Sequence, residues 1–371
     1  MTGPEENPQP GRPAALRLTL SASRDIGIII AVSVLGLSAG AGFLIPLVLA
    51  FLAYVLITAV SDRVLQMERM PITIPRWVAD LIGVAVVLAG LFAVMFILAS
   101  QATHLAREVG NYEVAFDSAV NRVVALIGTD VARFLRDTLV GIDMSLVARS
   151  AFGGATSFLS TFLLISLYVG FMMAERTLMG KKLKLAVRDT RLSHELSSIM
   201  AAVSHSLQSY VGVKTFVSTL TALVSYGIFR WLGLEFAETW AVLTFALNFI
   251  PSIGSIIAVI FPATVSLLQY DTITPFLIIV FLCGSVQFLM GNLLDPALLG
   301  RSLNLSTVMV MLALTFWSAV WGIIGAFLSV PLTVCIMIVF AQIPALRPVA
   351  ILMSKDGKLG PAATENSNTS A

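Results

Sequence analysis

Three polar side chains interrupt apolar sequence near residue 290: Gln287, Asn292 and Asp295. Asn292 and Asp295 are three apart, which places them on one face of a helix. Pro296 disfavours helix in the residue before it, so the helix is expected to end at Asp295. Arg301 follows six residues on. A carboxylate at membrane depth is costly and faces a cavity or a counter-charge. Two chemistries fit. In one, Asn292 and Asp295 line a polar path and Asp295 binds a proton or cation. In the other, Asp295 caps a turn at the membrane interface and pairs with Arg301. Gln287 and Asn292, deeper in the run, read as cavity-lining.

A second constellation is Asn248-Phe-Ile-Pro251-Ser252-Ile-Gly254-Ser255. Pro251 frees a backbone carbonyl one turn earlier. With the side chains of Asn248, Ser252 and Ser255, that carbonyl offers a site for an uncharged polar solute or a small cation. A structural hairpin tip is compatible with the same residues. A third group is Trp317, Trp321, Gly322, Gly325 and Pro331. Trp317 and Trp321 are four apart and read first as interfacial anchors. The glycines that follow argue for a bend, which would let the pair wall a pocket instead. Residues 253–265 and 324–334 also resemble each other, each running from Ile-Gly to a Pro followed by Thr-Val. Paired Gly/Pro-interrupted apolar segments point to a transporter's binding site.

Other engines are missing from the sequence. There is no Gly-x-x-x-x-Gly-Lys-Ser/Thr loop to cradle phosphates, no His-Glu-x-x-His and no Gly-x-Ser-x-Gly. Transport powered by ATP on this chain, intramembrane proteolysis and a cofactor are therefore not expected. Cys283 and Cys335 lie in apolar runs and read as small buried hydrophobes, and His104, His194 and His205 share no metal-ligand spacing.

The elements that must position these groups are membrane helices. The chain has 371 residues, of which 57% are hydrophobic and 12% charged. Soluble domains carry about 25% charged residues. A bilayer core is crossed by about 20 helical residues. Residues 302–346 carry no charge and are interrupted by Gly and Pro, so they read as a broken or re-entrant element. Residues 239–270 are likewise uncharged and broken near Pro251. The expected architecture is all-α, with about eight transmembrane helices, two of the elements broken or re-entrant. The order is a cytoplasmic tail (1–25), helices 1–3 (26–103), an extracytoplasmic helical insert (104–149), helix 4 (150–174), a basic cytoplasmic loop with an amphipathic interfacial helix (175–210), a C-terminal core (211–343) and a second tail (344–371). Residues 1–24 do not read as a cleavable signal peptide. With eight passes, 16 of the 23 Lys and Arg residues fall on the side of both termini. That side is therefore expected to be cytoplasmic.

The phrases Asn248-Phe-Ile-Pro-Ser-Ile-Gly254, Gly291-Asn-Leu-Leu-Asp-Pro296 through Ser306, and Trp321-Gly-Ile-Ile-Gly325 through Pro331-Leu resemble the autoinducer-2 exporter family. The resemblance covers nearly the whole layout, and Phe316-Trp-Ser-Ala-Val-Trp with Ser329-Val-Pro-Leu-Thr is most similar to its quorum-signal transport branch. It implies a multi-pass protein of the bacterial inner membrane that exports a small polar signal such as autoinducer-2. Sodium(cation)/proton antiport is the alternative, and a non-transporting membrane scaffold a further one. The expected substrate path is Asn248, Pro251, Ser252, Gly254, Gln287, Asn292, Trp321, Gly322, Gly325 and Pro331, with Asp295 and Arg301 gating or coupling it. The expected partners are a small polar solute or cation, the lipid bilayer and further copies of the chain in a homo-oligomer; nucleic acid is not among them.

Overall fold

A computed structural model describes residues 20–66, 75–97, 100, 144–186, 190–299 and 304–357. Arg301, residues 1–19 and 358–371 of the two tails, and residues 104–143 of the insert lie outside the described residues. The described residues are almost wholly helical, with no strand beyond an isolated antiparallel bridge between Leu305 and Ser354. In chain order the helices are α1 (Leu20–Ala39), α2 (Ala41–Leu65), α3 (Arg76–Ile97), α4 (Met144–Ala186), α5 (Thr190–Leu232), α6 (Ala237–Leu247), α7 (Ile253–Gln269) and α8 (Thr274–Leu289). A π-helical turn, Met290–Leu294, then leads into α9 (Asp295–Leu299), followed by α10 (Thr307–Gln342) and α11 (Arg347–Met353). Of the described residues, those up to Leu44 form one compact unit and those from Ile45 a second.

Among the described residues, six stretches are long and apolar enough to cross a bilayer: Ala41–Leu65, Arg76–Ile97, Leu159–Arg176, Leu196–Leu232, Thr274–Leu298 and Thr307–Gln342. The uncharged run 239–270 yields two shorter helices instead, α6 of 11 residues and α7 of 17. Neither reaches the roughly 20 residues that a simple span requires. The interfacial helix expected before residue 211 is not separate. α5 runs unbroken from Thr190 through Leu232, because no Gly or Pro falls in its first half and its buried stripe, Leu207, Tyr210, Val211 and Val217, passes through the expected boundary.

Packing in the second unit rests on close helix approaches. Ala50 and Ile57 of α2 meet Ile165 and Val169 of α4 in one apolar cluster. α3 comes so near α2 at Gly83 that a Cβ there would lie 2.6 Å from Ser61 Oγ and 2.8 Å from the Ile57 carbonyl oxygen. Ser61 donates to carbonyls on both helices, Ile57 at 2.9 Å and Ala79 at 3.1 Å. The helix ends are tied by charge, with Arg176 of α4 contacting Asp80 of α3 at 3.0 Å and Asp62 of α2 at 3.6 Å. A second apolar cluster joins α5 to α8: Phe229, Leu234, Ala237, Val259, Ala263, Ile279 and Cys283. Its outer loop is closed by Tyr270, whose hydroxyl donates to the Leu232 carbonyl at 2.7 Å.

Candidate functional site

α5 carries a lone lysine on its buried face. Lys214 Nζ donates to Asp295 Oδ2 at 2.5 Å, and the two side chains are only 12% and 11% exposed. The other carboxylate oxygen, Oδ1, is buried without a hydrogen-bond partner. Tyr210, one turn before Lys214 on α5, is buried close enough to Asp295 to feel its charge. A buried ion pair gains from the low dielectric only where its geometry offsets desolvation, and removing one partner strands the other. The pair thus locks α5 to α9 for as long as both groups keep their charge.

The backbone at Asp295 explains why sequence spacing misplaced it. The helix does not end before Pro296. The Pro ring would collide with the carbonyl four residues back, at Asn292. The π turn relieves this by widening one turn, and Asp295 N–H donates to the Met290 carbonyl, five residues earlier. Such π turns recur at functional positions. The extra residue rotates Asn292 away from Asp295. Asn292 is exposed and its Nδ2 donates to its own helix, to the Phe288 carbonyl at 3.1 Å.

The Asn248–Gly254 segment is a tight helical reversal between α6 and α7. Ile250 N–H donates to the Leu247 carbonyl at 2.8 Å, and Ser252 sits at φ 59°, ψ −54°, a strained conformation for a side-chain-bearing residue. A Cβ on Gly254 would lie 1.8 Å from the Leu247 carbonyl oxygen, so only glycine fits. The same device recurs in α10. Helical geometry breaks at Trp321 (φ −126°, ψ 15°) and Gly322 (φ 63°, ψ −142°). A Cβ on Gly325 would lie 1.8 Å from the Trp317 carbonyl oxygen. Trp317 Nε1 donates to Thr333 Oγ1 at 3.3 Å, although the two are 16 residues apart. In a straight helix that separation spans about 24 Å. The two halves of α10 therefore fold back on each other, and the weak likeness between residues 253–265 and 324–334 corresponds to one shared backbone construction.

The two reversals touch. Phe249 and Phe327 pack with ring centroids 4.7 Å apart, and Ile250 joins Leu314 and Ala326 in one buried cluster. Asn248, at the end of α6, is 3% exposed and donates to Ser218 Oγ of α5 at 3.0 Å. Trp317 and Trp321 are 6% and 7% exposed, so neither is an interfacial anchor. Their rings pack 5.1 Å apart inside the reversal that Gly322 creates. Pro331 is buried in the returning half of α10.

Of the expected path, then, Asn248, Pro251, Ser252 and Gly254 form one reversal, and Trp321, Gly322, Gly325 and Pro331 belong to the other. Asp295 pairs with Lys214, and Arg301 lies outside the described residues. Gln287 is 6% exposed, with neither its carbonyl nor its amide bonded. Lys214 is not among the residues that the sequence singled out. Its signal was the spacing Tyr210, Lys214, Ser218, which is one polar face of a helix. A shallow groove of about 460 Å³ lies elsewhere, on the α8 face of Val280, Phe281, Gly284, Ser285 and Phe288, and takes in none of the expected path residues. Among the described residues no three His, Cys, Asp or Glu side chains are grouped to hold a metal.

Residues 28–345 match the AI-2E family transporter model. The chain is 28% identical over 327 residues to the AI-2 transport protein TqsA of Escherichia coli K12, covering 86% of this chain and 91% of that one. A Haemophilus influenzae protein that carries a transport-protein name is 28% identical over 84% of this chain and 88% of its own length. One from Borreliella burgdorferi is 31% identical over 204 residues, an alignment that spans 55% of this chain and 56% of that protein. With the family model covering most of its length, and a helical architecture holding six stretches able to cross a bilayer, the chain belongs to the AI-2E family of transporters.

Proposed function

We propose that this protein is a secondary transporter or facilitator that exports a small polar signal of the autoinducer-2 type across a bacterial inner membrane. The observation that carries the reading is the contact between two interrupted helical reversals, Phe249 against Phe327, beside a bundle whose buried face holds Lys214, Asp295 and Asn248. Irregular backbone at membrane depth is tolerated where protein or a water-lined cavity covers it, and paired broken helices mark solute sites in transporters. In this reading the reversals at 248–254 and 317–325 are re-entrant, both termini are cytoplasmic, and the Lys214–Asp295 pair gates the path. The name of the Escherichia coli relative, an AI-2 transport protein, supports the signal as cargo.

The test is flux in proteoliposomes of the purified full-length protein, with labelled autoinducer-2 on one side and pH and sodium gradients imposed separately. Flux of the signal without a sodium requirement is the expected result. Sodium-dependent proton movement with no signal flux would replace this reading with antiport.

A further inference from the structure

The buried polar groups on α5 recur at Lys214, Ser218, Thr221 and Ser225, a spacing of three or four that keeps them on one face. α8 and α9 run antiparallel to that face in a constant register. Phe229 shares a buried cluster with Ile279 and Cys283, and Lys214 bonds Asp295. Counting between these fixed contacts sets Gln287 level with Thr221. α6 is held against α5 by two further contacts, Tyr226 with Glu238 at 3.2 Å and Ser218 with Asn248 at 3.0 Å. Counting between those sets Thr244 level with Thr221 as well.

Three helices thus deliver Thr221, Thr244 and Gln287 to one level of the bundle. All three side chains are buried, at 0%, 1% and 6% exposure. Thr221 satisfies itself on its own helix, donating to the Val217 carbonyl at 2.7 Å. The Thr244 hydroxyl and both ends of the Gln287 carboxamide have no partner within the protein. A buried polar group left unbonded is costly, and several converging at one level are a reason to look for a ligand. One turn along lies the Ser218–Asn248 bond. One turn further lies the Lys214–Asp295 pair, with its own unbonded carboxylate oxygen.

We infer that this level is the solute-binding position, and that its ligand is a small uncharged molecule bearing several hydroxyl groups. The inference rests on the transporter reading above and deepens it by naming residues and ligand class. The charges nearest the site cancel within the Lys214–Asp295 pair, so the site has no net charge to offer an ion. The Gln287 carboxamide brings both a donor and an acceptor, and the Thr244 hydroxyl brings one of each. A hydroxyl, which both donates and accepts, satisfies either. The Lys214–Asp295 pair closes one end of the position, and the π turn at 290–294 is where α8 can flex against α9 to open it.

The experiment measures solute entry into proteoliposomes of full-length protein by stopped-flow light scattering, with xylitol as the neutral probe, gluconate as the anionic one and labelled autoinducer-2 in parallel. Variants are Gln287→Leu, Thr244→Val and, as the hydroxyl-retaining control, Thr244→Ser. Loss of one neutral hydrogen bond corresponds to about a three- to tenfold drop. The expected result is wild-type entry of xylitol over gluconate, a drop of that size in Gln287→Leu and Thr244→Val, and near-wild-type entry in Thr244→Ser. Xylitol entry unchanged in Gln287→Leu and Thr244→Val overturns the inference, as does equal entry of gluconate. Autoinducer-2 flux that persists through both substitutions leaves the transporter reading intact and removes only this site. Xylitol entry that obeys the pattern without autoinducer-2 flux keeps the site and removes the signal as cargo. A wild type that passes none of the three overturns both.

Discussion

Lys214 on α5 and Asp295 on α9 are 81 residues apart in sequence and 2.5 Å apart in space, each nearly nine-tenths buried. The pair joins α5, 43 residues long, to the segment that follows the π turn, so its integrity should be felt in both stability and transport. Taking one charge away leaves the other stranded in a low-dielectric interior, at a cost of about 3–5 kcal/mol. Lys214→Met or Asp295→Leu alone is expected to lower the thermal midpoint of the detergent-solubilised protein sharply. The double variant, which leaves no stranded charge, is expected to regain most of that stability. If the pair gates the path, transport stays lost in the double variant. Equal midpoints for single and double variants would show that the two side chains are not coupled.

Gly254 and Gly325 are predicted to tolerate no side chain at all. At each, an added Cβ meets a backbone carbonyl oxygen at 1.8 Å, and backbone cannot move aside as a flexible side chain would. Gly254→Ala and Gly325→Ala are expected to insert into the membrane yet lose transport and elute as heterogeneous material in size-exclusion chromatography. Gly322→Ala is a milder case. The site has open space around it, and the strain arises from a backbone conformation, φ 63° and ψ −142°, that side-chain-bearing residues rarely adopt, costing about 1–3 kcal/mol. Wild-type flux in Gly325→Ala would disprove the tight reversal.

Asn248 donates to Ser218 across α6 and α5. Asn248→Ala removes one partner and leaves a hydroxyl in an apolar setting, a loss of about 1–3 kcal/mol. Ser218→Ala in the same background is expected to cost little more, because the bond is already gone. A double-mutant cycle on unfolding in detergent measures this directly. Strictly additive single effects would mean that the two groups do not interact.

The sequence by itself determined the class. Twelve per cent charged residues and uncharged runs longer than one span leave only a polytopic membrane protein. Local chemistry also pointed to both interruptions, because Pro251 with Gly254 and Gly322 with Gly325 weaken a continuous helix. The depth of the reversals was not local. The backbone contact that forces glycine at 325 is with Trp317, and the bond from Trp317 to Thr333 spans 16 residues; spacing rules for a straight helix do not describe a chain that turns back. Tertiary structure alone chose the partner of Asp295. The carboxylate that follows the π turn meets Lys214 on the buried face of α5, 81 residues away in the chain. Helix spacing already separates Asn292 from Gln287, since five residues leave them about 140° apart, but only packing makes Gln287 the buried one and Asn292 the exposed one. Short-range pattern fixes which residues are apolar, polar or bent; which polar groups meet depends on helix register, and register is set by contacts between segments far apart in the chain.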